Sequence, residues 1–138
     1  MSNLPGRMLI AVAILAISGG AAAEDQIDVK LGRCISKDWT TSGMMNCTGD
    51  AIDDWNERLN IILKQLKLHL TKDEYRTLQV SQQNWIKFRD SEFKNIDKIY
   101  EGMEGTMYLP MRLSAHLDLI KTRAKNLEYF LYLKTQDD

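Results

Sequence analysis

Apolar residues recur at steps of three and four over most of residues 44–134, and this spacing constrains the fold more than any other feature of the chain. Such spacing places apolar side chains along one face of an α-helix. Three stretches have it, and no run of alternating β-branched residues indicates a sheet. Because none of the three helices can bury its stripe alone, the sequence predicts an all-α fold, an antiparallel three-helix bundle.

Each predicted helix has its own apolar stripe and its own boundary signals. The three stripes are Thr48, Ile52, Trp55, Leu59, Ile62, Leu66 and Leu70, then Tyr75, Leu78, Gln82, Trp85, Arg89, Phe93, Ile96 and Tyr100, then Leu113, Leu117, Ile120, Ala124, Leu127 and Leu131. Thr71 and Glu74 have the spacing of a capping box, so the second helix begins where the first ends. Gly102 and Gly105 end the second helix, and Thr106 is a candidate cap for the third.

The first 23 residues have the layout of a secretory signal peptide. Arg7 is followed by ten apolar residues, 8–17, and later by small residues that end at Ala23. As a helix this run is about 15 Å long, half of the ~30 Å hydrocarbon core of a bilayer. We expect cleavage after Ala23, which leaves one helical domain, residues 24–138, in the periplasm or outside the cell. An uncleaved anchor is the alternative, and no cysteine follows the run to carry a lipid.

Cleavage would remove Arg7 and no acidic residue, so the net charge would change from −1 to −2. That balance gives no long-range attraction to nucleic acid or to an anionic membrane. Cys34 and Cys47 are the two cysteines, and an even pair in an exported protein predicts a disulfide bond. This bond would tie a loosely held N-terminal segment to the first turn of the first predicted helix. A redox or metal site is a weaker alternative, because neither His69 nor His116 is near the cysteines in sequence.

No set of residues in the sequence indicates catalysis. There is no glycine-rich phosphate loop, and nothing nominates a nucleophile with its base. The acidic pairs Asp53 with Asp54 and Glu101 with Glu104 invite comparison with glycosidase carboxyls, which lie about 5 or 6.5–9.5 Å apart across a cleft. A three-helix bundle of this length has little room for a sugar cleft. We therefore expect no enzyme activity, no cofactor and no metal.

The densest polar feature is a network predicted from Gln82, Trp85, Arg89, Asp90 and Arg123. Arg89 lies four residues after Trp85, so its guanidinium group can lie against the indole. It also falls on the stripe that faces the core, where an unpaired charge is costly. We expect it to meet a carboxylate or carbonyl of another helix, and Asp90 to meet Arg123. Recognition of a partner group is the functional alternative. The candidate carboxylates for Arg89 are Asp53, Asp54, Glu57 and Glu128.

These residues resemble the LprI-like family, which is named for a mycobacterial lysozyme inhibitor and includes many small exported bacterial proteins. The resemblance extends over most of residues 34–131. Its most specific part is the segment QQNWIKFRD, residues 82–90, followed by Gly105, Thr106 and the distal segment TRAKNLE. The remaining matches are Cys34, Cys47, Trp55, Asn56, Leu59, Asn60 and Leu78. The resemblance implies a helical periplasmic domain and inhibition of lysozyme.

The chain departs from the family pattern in two places. Many members have a second cysteine pair, and here Phe93 takes the first position while Ala115 or His116 takes the second. We expect a buried aromatic ring packed against a small residue to replace that cross-link. The inhibitor that names the family is also a lipoprotein, whereas this chain has no lipidation cysteine.

The leading functional hypothesis is an exported protein that inhibits lysozyme or a related peptidoglycan-cleaving enzyme. Two exposed connections, residues 37–43 and 101–106, are candidates for the contact with this protein partner. The candidate contact residues in them are Lys37, Trp39, Glu101, Glu104 and Thr106. The alternative is an envelope stress or toxin-neutralising, immunity-type protein of the periplasm without lysozyme activity.

Overall fold

The computed structural model describes residues 24–136, and these residues form four α-helices without a strand. The helices are α1 (Gln26–Lys37), α2 (Thr41–His69), α3 (Lys72–Glu101) and α4 (Tyr108–Thr135). The prediction of an all-α fold is confirmed, but the count of three helices is wrong. The predicted signal peptide lies outside the described residues. None of the four helices combines the length and the apolar character that a membrane span requires.

The additional helix is α1, in the N-terminal part of the chain where no helix was predicted. Its N-cap is Asp25, whose carboxylate accepts a hydrogen bond from the N–H of Ile27 at 3.0 Å. Ile27 and Leu31 pack against the core, and Cys34 forms the predicted disulfide bond with Cys47 of α2. The apolar face of α1 is only two turns long, which is too short for periodicity alone to distinguish it from a loop.

The core lies between α2 and α4, which run parallel to each other. Lys121 of α4 reaches the ring of Trp55, and Glu128, two turns later, pairs with Arg58 at 2.8 Å. The order of these contacts along both helices gives the parallel direction. The buried core residues are Ala51, Trp55, Leu59, Ile62, Leu66, Leu117, Ile120, Ala124 and Leu127. They belong almost entirely to the predicted stripes of these two helices.

α3 is the antiparallel return helix, and it packs on α4 with no fully buried residue of its own. Its predicted capping box is confirmed, because Thr71 and Glu74 exchange hydrogen bonds between side chain and backbone. Glu74 also pairs with Lys134 near the end of α4. The bond from Lys134, followed by those from Thr71, lowers the pKa of Glu74 to about 2. The first turn of α3 is thereby attached to the last turns of α4.

Phe93 of α3 stacks on His116 of α4, with ring centroids 4.1 Å apart. Phe93 stands where the family resemblance places one cysteine of a second pair, so His116, rather than Ala115, is its packing partner here. His116 Nε2 also lies 3.1 Å from a carboxylate oxygen of Asp97. In this chain, aromatic stacking connects the two helices at that level.

The start of α4 differs from the prediction that Thr106 caps it. The N-cap residue is Met107, and no side chain makes a capping hydrogen bond there. The N–H of Leu109 instead reaches the carbonyl of Thr106 at 3.3 Å. The hydroxyl of Thr106 is therefore not used to begin the helix.

Replacing Leu127 by alanine tests the α2–α4 core. Leu127 is completely buried, so Leu127→Ala should lower the free energy of unfolding by about 2–5 kcal/mol. Leu133 lies on the same helix and is 45% exposed, so Leu133→Ala is the matched control and should cost less than about 1 kcal/mol. Urea unfolding followed by circular dichroism measures both. Equal losses for the two variants would contradict the assignment of the core.

Candidate partner-binding surface

The two connections predicted as contact sites lie at the same end of the bundle. Residues 38–40 precede α2 and residues 102–107 precede α4. Trp55, 14 residues into α2 from Thr41, contacts Lys121, which lies 13 residues into α4 from Tyr108. Because α2 and α4 run parallel, their first residues lie at nearly the same level. The fold therefore places both connections at one end of the bundle.

The first connection is held by a set of local hydrogen bonds. The carboxylate of Asp38 accepts bonds from the N–H and the hydroxyl of Thr40, at 3.1 and 2.6 Å. These bonds, the one from the hydroxyl first, lower the pKa of Asp38. The Thr40 oxygen accepts a bond from the N–H of Gly43 and so caps α2. Between Asp38 and Thr40 stands Trp39, whose side chain is 79% exposed.

Gly43 lets this connection close against α2. A Cβ atom at this position would lie 2.5 Å from the backbone oxygen of Asp38 and 2.2 Å from its Cγ. One turn later, Cys47 ties α2 to α1 through the disulfide bond. The indole of Trp39 is thus exposed on a connection that is fixed on both sides. An exposed, pre-organised tryptophan is typical of residues that dominate a protein interface.

A groove of about 540 Å³ runs between α1 and the start of α2, beside this connection. Lys30, Arg33 and Lys37 line it from α1, and Asn46 lines it from α2. Lys30 pairs with Asp54 at 2.6 Å, and this hydrogen bond raises the pKa of Lys30. Within residues 24–136, no carboxylate pairs with Arg33 or Lys37. Lys37 was predicted as a contact residue, but Lys30 and Arg33 were not, because the spacing of three and four along this row becomes informative only once α1 is known to be a helix.

The second connection has a different chemical character. Glu101, the last residue of α3, pairs with Lys98, while Glu104 and Thr106 are exposed. Met103 and Met107 are also exposed, and residues 102–107 contain no cationic side chain. This connection therefore offers apolar and anionic groups, whereas the first offers an indole beside cations.

The polar network predicted on α3 forms differently from the expectation. Arg89 pairs with its neighbour Asp90 at 2.6 Å and not with a carboxylate of another helix. Arg123 bonds Gln82 at 2.9 Å instead of Asp90. Both guanidinium groups lie against Trp85, 5.4 and 5.9 Å from its ring centroid. The expected partners were wrong because α3 lies at the edge of the core, where the Arg89 side chain remains 26% exposed and reaches its neighbour.

The acidic residues compared above with glycosidase carboxyls either form ion pairs with lysines or are exposed. Asp54 pairs with Lys30 and Glu101 with Lys98, while Asp53 and Glu104 are exposed. In the part of the chain that the structure describes, no three side chains of the metal-binding types form a cluster that could hold an ion.

Gly43→Ala should disturb the Trp39 connection, because the new methyl group would overlap with Asp38. We expect a loss of at least about 1 kcal/mol in the free energy of unfolding. Gly49 lies in the same helix, and a Cβ atom added there would have no neighbour within 4 Å, so Gly49→Ala should instead stabilise by about 0.5–1 kcal/mol. Thermal unfolding of both variants measures the difference. A gain in stability for Gly43→Ala would show that the connection is not fixed by this close approach.

Comparison with known proteins agrees with this architecture. The chain aligns over 83% of its length with the crystal structure of an uncharacterized protein from Burkholderia thailandensis, at 26% identity and a TM-score of 0.78. It spans only 58% of that protein's chain. No curated protein matches the sequence significantly. Residues 34–127, from the first cysteine to the buried Leu127, match the family described as lysozyme inhibitor LprI. The chain therefore belongs to the LprI family.

Proposed function

We propose that this chain is an exported protein that inhibits a lysozyme or a related peptidoglycan-cleaving enzyme. Membership of the LprI family is the observation that carries the proposal. The signal-like layout of residues 1–23 supports export to the periplasm or beyond, where such enzymes act. Disulfide formation between Cys34 and Cys47 fits an oxidising compartment.

The proposed mode of action is steric occlusion of the muramidase cleft. The exposed end of the bundle supports it, because two connections project there from long, packed helices. Trp39, at 79% exposure on a connection fixed by hydrogen bonds, is suited to insert into a concave partner. A surface that is ordered before binding loses little conformational entropy when the complex forms.

The test is a cell-wall lysis assay with the exported protein, whose intact mass should correspond to a chain that begins at Glu24. Lysis by an animal-type or bacterial muramidase should slow as the protein concentration rises. The predicted charge of −2 should also draw in a basic lysozyme, so added salt should weaken the effect.

An unrelated protein at equal concentration is the control for this assay. Unchanged lysis at large molar excess, against both types of muramidase, would overturn the proposal. The immunity-type envelope role without lysozyme activity would then be the better hypothesis.

A further inference from the structure

We propose that the cationic side chains bordering the groove between α1 and α2, together with Trp39, form the part of the surface that faces the muramidase cleft, where Arg33 and Lys37 meet its catalytic carboxyl groups. This inference rests on the proposed function and assigns it to one of the two exposed connections. The proposed site on the partner is a sugar-binding cleft that contains a pair of carboxyl groups.

The charge of the cleft supports this choice. Glycoside hydrolysis uses two carboxyl groups, and its transition state resembles a positively charged oxocarbenium ion. An enzyme site is complementary to that transition state, so it is arranged to stabilise positive charge between the carboxyls. The guanidinium group of Arg33 and the ammonium group of Lys37 supply such charge from one groove.

Arg33 and Lys37 are also the cations of this groove that lack an internal ion pair among residues 24–136. Lys30, by contrast, is paired with Asp54. A cation that has no partner within the protein gives up no existing ion pair when it meets a carboxylate of another protein. Such a contact therefore adds more to the affinity of a complex than one made by an already paired side chain.

Trp39 supplies the apolar part of the proposed contact. Its neighbour Asp38 lines the groove together with Lys37, so the exposed indole begins where the row of cations ends. A flat aromatic ring has a thickness and an apolar face comparable to those of a pyranose ring. Tryptophan and arginine are also the residues most enriched among those that dominate interface energies.

The connection at residues 102–107 lacks this complementarity. It is flanked by Glu101 and contains Glu104. Carboxylates from this connection would be brought next to the carboxyl groups of the cleft, and like charges at short distance repel each other. The first connection has one carboxylate, Asp38, which accepts two hydrogen bonds from Thr40 and lines the groove with the two cations that lack an ion pair among residues 24–136. On charge, the first connection is therefore the better match to the cleft.

Two pairs of substitutions with the same change in charge test the inference. Arg33→Gln with Lys37→Gln removes two cations from the groove, and Lys87→Gln with Lys94→Gln removes two exposed cations from α3. The first pair, and separately Trp39→Ala, should raise the concentration needed for half-inhibition by about tenfold or more. The α3 pair should change it less than about twofold, and thermal unfolding should show that all variants remain folded.

The second part of the experiment substitutes a residue of the muramidase instead of one in this protein. A muramidase whose general-acid carboxyl is replaced by its amide should bind the wild-type protein more weakly in calorimetry. Removing Arg33 and Lys37 should then cost little further affinity, since interacting groups are not additive in a double-mutant cycle.

The outcomes separate this inference from the function on which it rests. If the wild type inhibits and the groove variants inhibit equally well, the inference is wrong and the proposed function stands. If the amide-bearing enzyme binds the wild type as tightly as the native enzyme does, the carboxyl contact is wrong. If the wild type inhibits no muramidase, both proposals fail.

Discussion

The structure depends on the packing of α2 against α4 around Trp55, which is completely buried. Arg58, Lys121 and Lys125 lie 5.2, 5.9 and 5.0 Å from the centroid of its ring. Asp25 of the N-terminal segment bonds both Arg58 and Lys125. Burial alone would raise the pKa of Asp25, but the hydrogen bonds from Lys125 and from the Ile27 N–H, with the charge of Arg58, hold it below its ordinary value. Asp25 is also the cap of α1, so the same contacts that surround Trp55 attach α1 to the bundle.

The position of the proposed contact surface depends on this core. The parallel direction of α2 and α4 brings two connections to one end of the bundle. The attachment of α1, completed by the Cys34–Cys47 bond, creates the groove that Lys37 lines. The close approach of Asp38 to Gly43 then fixes the connection that exposes Trp39. The proposed inhibitory surface is thus supported by long-range packing, although its residues are nearly contiguous in sequence.

The apolar stripes of α2 and α4 were predictable because long helices with a buried face repeat their pattern over many turns. The capping box was predictable because it is a local exchange between Thr71 and Glu74. Two features required the structure. The apolar face of α1 is only two turns long, so α1 was not predicted as a helix and the alignment of Arg33 with Lys37 was missed. The partner of Arg89 depends on how far α3 lies from the core, which no local pattern specifies.

Hydrogen–deuterium exchange of the exported protein, with and without a muramidase that it inhibits, tests most directly whether the groove and Trp39 form the contact surface. Backbone amides report where a partner excludes solvent or suppresses local opening. We expect new protection in residues 33–43 on complex formation, with residues 102–107 exchanging as in the free protein. Protection confined to residues 102–107, or to the outer face of α3, would contradict it.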